Sequence, residues 1–203
     1  SNVMTFLGRG DVALSVAVTT LTTLAAPIVM PAWTLFALGE TVDVTFAQMF
    51  GSIVQIVIVP VVLGFAIRYV LDRRAPEAAE AGVDVFPLVS VVAIVAIVAG
   101  VVGANVENIL TAGVLVLLAV VVHNAVGLGA GFTVGRAAGM SDDRVRTCAF
   151  EVGLQNSGLA VALATSLFSP AAALIPALFS VWHNVSGPAL ASFFTWRDDS
   201  DGE

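Results

Sequence analysis

Apolar residues run along this chain in long blocks, and charged residues fall mostly between the blocks. After a short opening segment the blocks cover 12–38, 46–71, 84–104, 109–135, 144–167 and 170–196. About 20 predominantly apolar residues are enough for one helix to cross a bilayer. The pattern therefore predicts a half-helix followed by six membrane-spanning helices. The alternating segments of roughly ten residues that a transmembrane barrel requires are not visible.

Polarity inside the blocks sorts them into two kinds. The block 84–104, with VSVVAIVAIVAGVVGA, is apolar throughout and reads as a packing or lipid-facing element. Blocks 12–38, 144–167 and 170–196 are interrupted by hydroxyls, amides, Gly and Pro. Ser15, Thr19, Thr20, Thr22 and Thr23 stand in the first, ahead of Pro27 and Pro31; the last holds Pro176 and the run 182-WHNVSGP-188. Proline within a span removes a donor and is expected to break the helix locally. The division predicts a polar inner group of helices and a plainer supporting group.

Charge placement adds an orientation. Arg9, Arg68, Arg73, Arg74, Arg136, Arg144, Arg146 and Arg197 all fall in alternate connections, and the connections between carry only Glu40, Asp43 and Glu107. By the positive-inside rule the chain is a multi-pass protein of the cell membrane with a cytoplasmic C-terminus. Composition agrees with the class: 58% of residues are hydrophobic and 11% charged, and the mean hydropathy is +0.98. The net charge of −7 comes from loops and from the tail 198-DDSDGE-203, and reads as a solvated surface. No basic and aromatic arrangement suited to nucleic acid is present. The single cysteine, Cys148, excludes an internal disulfide and reads as a small core residue. The opening SNVMT looks like the interior of a membrane protein, so a further N-terminal portion is expected before it.

The chemistry concentrates in 150-FEVGLQNSGLAVAL-163. A carboxylate in an apolar span is costly and marks a functional site by default. Glu151 and Gln155 lie one turn apart, but 153-GLQNSG-158 sets glycines around small and polar residues, so the helix is expected to unwind there. Unwound backbone would present carbonyl oxygens beside a carboxylate and an amide, which is the donor set that hard cations prefer. Ser15 and Thr19 share a helical face, and the opening Ser1 and Asn2 offer further oxygens. His123-Asn124 and His183-Asn184 form a doublet, the second of which fits the lining of a substrate cavity. Trp33, Trp182 and Trp196 read as interface anchors or packing. No HExxH and no Gly-x-Ser-x-Gly occurs. The residues alone leave three readings open: a sodium-coupled carrier, a proton-coupled carrier in which Glu151 titrates, and an intramembrane hydrolase using Glu151.

The segments 151-EVGLQNSGLAVALA-164, SNVMT, 11-DVALSVAVTTLTTLAAPIVMP-31 and 179-FSVWHNVSG-187 together resemble the bile acid:sodium symporter family, and within it bacterial homologues of the apical sodium-dependent bile acid transporter. The resemblance implies an all-α polytopic membrane protein built from inverted repeats, with a core domain of crossing broken helices and a panel domain. Residues 1–39 and 108–203 would belong to the core and 40–107 to the panel. It implies one sodium site from Ser1, Asn2, Ser15, Thr19 and Glu151. A second would use carbonyls of Glu151, Val152 and Leu154 with the Gln155 side chain, plus a ligand from an earlier helix that this sequence does not contain. Asn156, His183 and Asn184 would line the substrate cavity. The implied activity is sodium-coupled symport of an organic anion, a bile acid or a smaller carboxylate, by alternating access. The implied partners are sodium ions, that anion and the bilayer, with no other cofactor, no enzymatic activity and a monomeric state.

Overall fold

A computed structural model describes residues 1–104, 106–169 and 171–201, with side chains for all of these except 40, 76–79, 81–84, 86, 87, 90, 94, 108, 109, 111, 112 and 201. Among the described residues the regular structure is entirely helical. Helix α1 spans Asn2–Leu7, α2 Val12–Leu38, α3 Phe46–Ile53, α4 Val59–Arg74, α5 Pro76–Ala104, α6 Val106–Ala137, α7 Asp142–Gly153, α8 Ser157–Leu167 and α9 Leu174–Asp201. Helices fall where all six apolar blocks predicted them. Among the described residues three helical stretches are long and apolar enough to cross a membrane: Val12–Leu38, Phe46–Arg74 and Gly113–Ala137.

The expected break at 153–158 is present. Helix α7 ends at Gly153, residues 154–156 are not helical, and α8 resumes at Ser157. The expected proline breaks are not. Helix α2 runs unbroken through Pro27 and Pro31, and α9 through Pro188. Each proline deletes one donor, and in a helix of 27 or 28 residues the remaining bonds carry the axis across the gap. Pro176 stands in the first turn of α9, where its missing N–H would have no intrahelical acceptor. Pro60 is accommodated differently. A wide π turn over Val54–Ile58 joins α3 to α4 immediately before it, relieving the crowding that its ring would impose on the preceding carbonyls. Thr45 starts that span with a capping box, its hydroxyl accepting from Gln48 N while its own N–H donates to Gln48 Oε1.

The chain divides into two compact units. The first comprises residues 1–23, 107–157 and 175–203. Its apolar core is Phe150, Leu154, Ala191 and Phe194, with Met4, Phe132 and Leu190 against it. Phe150 and Phe194 meet edge to face at 5.9 Å. Glycine makes the approach of α6 to α7 possible. A Cβ on Gly131 would lie 2.2 Å from the Cys148 carbonyl oxygen, one on Gly127 2.9 Å from that of Val152, and one on Gly135 3.1 Å from Val145 Cα. These three residues, spaced by four, form a seam of the small-xxx-small kind that lets membrane helices touch backbone to backbone. Cys148 is half-buried on the α7 side of this seam, with its Sγ 3.7 Å from Met140 Sδ. The second unit comprises residues 24–106 and 158–174 and buries Met49, Ile53, Val161, Leu163, Ala173 and Leu174.

Candidate functional site

Every candidate residue read from the sequence belongs to the first unit. Helix α2 is capped by Asp11, whose Oδ1 accepts from Leu14 N at 2.9 Å. That start places Ser15 and Thr19 one turn apart on the face toward Glu151. Thr20 and Thr22 instead donate to the carbonyls of Val16 and Val18 in their own helix.

Four of the five residues expected at the first ion site come together. Ser15 Oγ lies 2.5 Å from Glu151 Oε1 and 2.7 Å from Asn2 Oδ1. Thr19 Oγ1 lies 2.9 Å from Glu151 Oε2 and 3.3 Å from Asn2 Oδ1. Thr5 Oγ1, fully buried, donates to Ser15 Oγ at 3.3 Å. The fifth, Ser1, sits at the N-cap of α1, where its carbonyl accepts from Thr5 N. With Asn2 Oδ1 facing the two hydroxyls, the hydrogens in this cluster are too few. Four oxygen–oxygen contacts, three of them short and one at 3.3 Å, surround two hydroxyls, and each hydroxyl has one proton to give. A cation among these oxygens would satisfy the lone pairs left facing one another. Among the described residues no group of three or more His, Cys, Asp and Glu gathers as a transition-metal site would require.

The break supplies the second set. The Phe150 carbonyl accepts from Leu154 N at 2.8 Å and the Gly153 carbonyl from Asn124 Nδ2 at 2.9 Å. Those of Glu151 and Leu154 have no hydrogen-bond partner among the described residues. The Val152 carbonyl has, among the described residues, a long contact with Gln155 Nε2, at 3.4 Å. Gln155 Oε1 lies 2.9 Å from His123 Nε2. Carbonyls at a broken helix end are otherwise orphaned and are suited to a cation.

The third set is dispersed along α9 and the break. Asn156 is exposed. His183 is half-buried with its ring 5.6 Å from that of Phe179; its Nδ1, and Ser186 Oγ one turn on, are buried with no hydrogen-bond partner among the described residues. Asn184 donates to the Ser180 carbonyl of its own helix at 2.6 Å, leaving one amide hydrogen and its Oδ1 for other partners.

Sequence reasoning missed the supports. Asn124, 2% exposed, bridges Gly153 to Trp182, whose Nε1 donates to Asn124 Oδ1 at 3.1 Å. Trp182 is thus a hydrogen-bonding strut rather than an interface anchor, whereas Trp33 and Trp196 are 68% and 65% exposed. Thr147, fully buried, donates to the Asp143 carbonyl and accepts from Asp11 N, both at 2.8 Å. This ties the start of α2 to α7. Arg146 makes a bidentate pair with Asp198, donates to the Gly8 carbonyl and lies over the Phe194 ring. Arg9 pairs with Asp198 and Asp199. The Arg146 pairing, chiefly its hydrogen bonds, holds the Asp198 carboxyl below the ordinary carboxylate range. The glycine spacing 127/131/135 was the signal available for α6.

Comparison with known proteins is consistent with these features. A model of the "Sodium Bile acid symporter family" matches residues 1–112. The chain is 44% identical over 195 residues to an "Uncharacterized sodium-dependent transporter", YocS, of Bacillus subtilis, covering 96% of this chain and 60% of that protein. It is 34% identical over 198 residues to a "Probable sodium/metabolite cotransporter BASS1, chloroplastic" of Oryza sativa, covering 97% of this chain and 47% of that one. The Arabidopsis thaliana protein of the same name is 32% identical, with 97% and 48% covered. The chain thus spans about half to three-fifths of the length of these relatives.

Proposed function

The chain belongs to the sodium bile acid symporter family, and on that premise we propose that it carries the ion-coupling crossover of a sodium-driven organic-anion symporter. The family is one of transporters and not of enzymes. One sodium ion is held by Asn2, Ser15, Thr19 and Glu151, with Ser1 completing the set; a second is held by carbonyls of Glu151, Val152 and Leu154 with Gln155. The observation that carries this reading is the shortage of hydrogens around Glu151, since two hydroxyl protons cannot serve four oxygen contacts. A single proton on Glu151 would fill one of the two deficits, whereas a cation answers both. Turning the Asn2 amide over would also close the network, with two N–H donors and no ion, and a sodium titration separates these cases.

A carboxylated substrate, whether a bile acid or a smaller acid, is bound beside the break by Asn156, His183 and Asn184. Sodium neutralises Glu151 and ties α1, α2 and α7 into the arrangement that accepts the anion. By linkage the anion then raises the affinity for sodium by the same factor. Rocking of a core domain against a panel domain, related by inverted repeats, would expose the site alternately to the two sides of the cell membrane, with the C-terminus cytoplasmic. The test is uptake of a labelled bile acid and of smaller carboxylates into proteoliposomes. An inward sodium gradient should drive accumulation, and Glu151→Gln should reduce it to background. Accumulation driven equally by a proton gradient without sodium would establish the proton-coupled reading instead.

A further inference from the structure

Two neighbouring residues of α6 reach the broken segment of α7, and neither belongs to the proposed ligand sets. Asn124 is fixed in orientation by chemistry. Trp182 Nε1 can only donate, so Asn124 must turn Oδ1 to it and Nδ2 to the Gly153 carbonyl. Gly153 O is thereby committed, while the carbonyls on either side, at Val152 and Leu154, stay available.

His123 meets the other end of the break. Its Nε2 lies 2.9 Å from Gln155 Oε1, while Gln155 Nε2 faces the Val152 carbonyl at 3.4 Å. In that orientation the carboxamide offers hydrogens, not oxygen, to the carbonyl with which it would share a cation. Ligation requires the amide to turn, bringing Oε1 to Val152 and Nε2 to His123. A neutral imidazole nitrogen donates in one tautomer and accepts in the other, so His123 can hold either orientation. An obligate donor or an apolar side chain at this position could not. The ring itself is held by Phe179, edge to face at 5.6 Å.

We infer that His123 is a positioning residue for the coupling ion, setting which end of the Gln155 carboxamide faces the Val152 carbonyl while Asn124 keeps the Gly153 carbonyl out of the ligand set. The inference rests on the sodium reading above. It differs from a packing role, because a phenyl ring at 123 would keep the contact with Phe179 and lose only the nitrogens.

The experiment is a sodium titration of thermal stability in detergent, with choline chloride holding ionic strength constant. It compares the unmodified protein with His123→Phe, His123→Gln, Gln155→Ala and the double variant His123→Phe/Gln155→Ala. His123→Phe should raise the half-saturating sodium concentration about three- to tenfold, the worth of one net hydrogen bond. His123→Gln, which can also donate or accept, should restore it to within about twofold. The double variant should bind sodium no more weakly than Gln155→Ala alone, since the two residues act as one unit. If His123→Phe lowers the sodium-free melting temperature but leaves half-saturation unmoved, His123 is only packing and the inference is overturned. If the unmodified protein shows no sodium-specific shift at all, the sodium reading fails and this inference falls with it.

Discussion

Three glycines of α6 and four of α3 to α5 occupy opposite surroundings. Gly127, Gly131 and Gly135 are pressed against the α7 backbone, whereas Gly51, Gly64, Gly100 and Gly103 have nothing within 4 Å of where a Cβ would stand. The side chains repeat the contrast. Around the α6 seam lie buried Val145, Ala149 and Phe150, while along α4 Val62, Leu63, Phe65 and Ile67 are all more than half exposed. In hydrocarbon an exposed Leu or Phe costs nothing, so a helix such as α4 needs no partner on that face. A helix carrying a carboxylate and ending at a break, as α7 does at Gly153, needs one. The α6–α7 seam therefore uses small residues for close contact around a polar network, and α4 presents plain apolar surface. Gly129 shows that the seam belongs to one face of α6, for it too has open space.

The comparison breaks most readily at Gly131. A side chain there meets the Cys148 carbonyl at 2.2 Å, a backbone atom that cannot swing aside. Gly131→Val should destabilise the protein by about 3 kcal/mol or more through overpacking. Gly64→Ala, in open space, should be neutral or stabilising by up to about 1 kcal/mol. Melting temperatures of the two variants in detergent check this, and equal losses would contradict the account. Next in size is Asn124→Leu. It leaves the Gly153 carbonyl and the Trp182 N–H without their partner, and should cost about 2 kcal/mol. Thr147→Val removes the hydroxyl between Asp11 and Asp143 and should cost about 1 kcal/mol by the same measurement.

The smallest effect is expected at the end where Arg9, Arg146 and Asp198 meet. The folded state holds the Asp198 carboxyl below its ordinary value of about 3.9. Its contribution is therefore fully present above that value and is lost as pH falls through the lower, folded one. Melting temperature followed from pH 6 downward should decline below about pH 4, and the decline should be shallower in Asp198→Asn. An unchanged decline in that variant would remove Asp198 from the account.

Much of this was legible in the sequence because hydrocarbon is a demanding solvent. Apolar blocks located the helices, and the run Gly153 to Gly158 marked the break, since only small and polar residues would be tolerated at an unwound point. Ser15 and Thr19 could be paired with each other by spacing alone. Their meeting with Glu151, 132 and 136 residues away, joins elements that no local pattern relates. Pro27, Pro31 and Pro188 misled because one missing donor weakens a long helix without severing it. Asn124 and Trp182 were visible as residues, but a hydrogen bond between α6 and α9 is a property of packing and has no local signature.

The most direct test of the central claim, that the oxygens around Glu151 hold sodium, is equilibrium binding of radioactive sodium to the purified protein. Potassium would serve as competitor, with Glu151→Gln measured in parallel. The account predicts saturable sodium binding that equimolar potassium does not displace and that Glu151→Gln abolishes. Binding that potassium displaces as readily as sodium does, or that survives in Glu151→Gln, would contradict it.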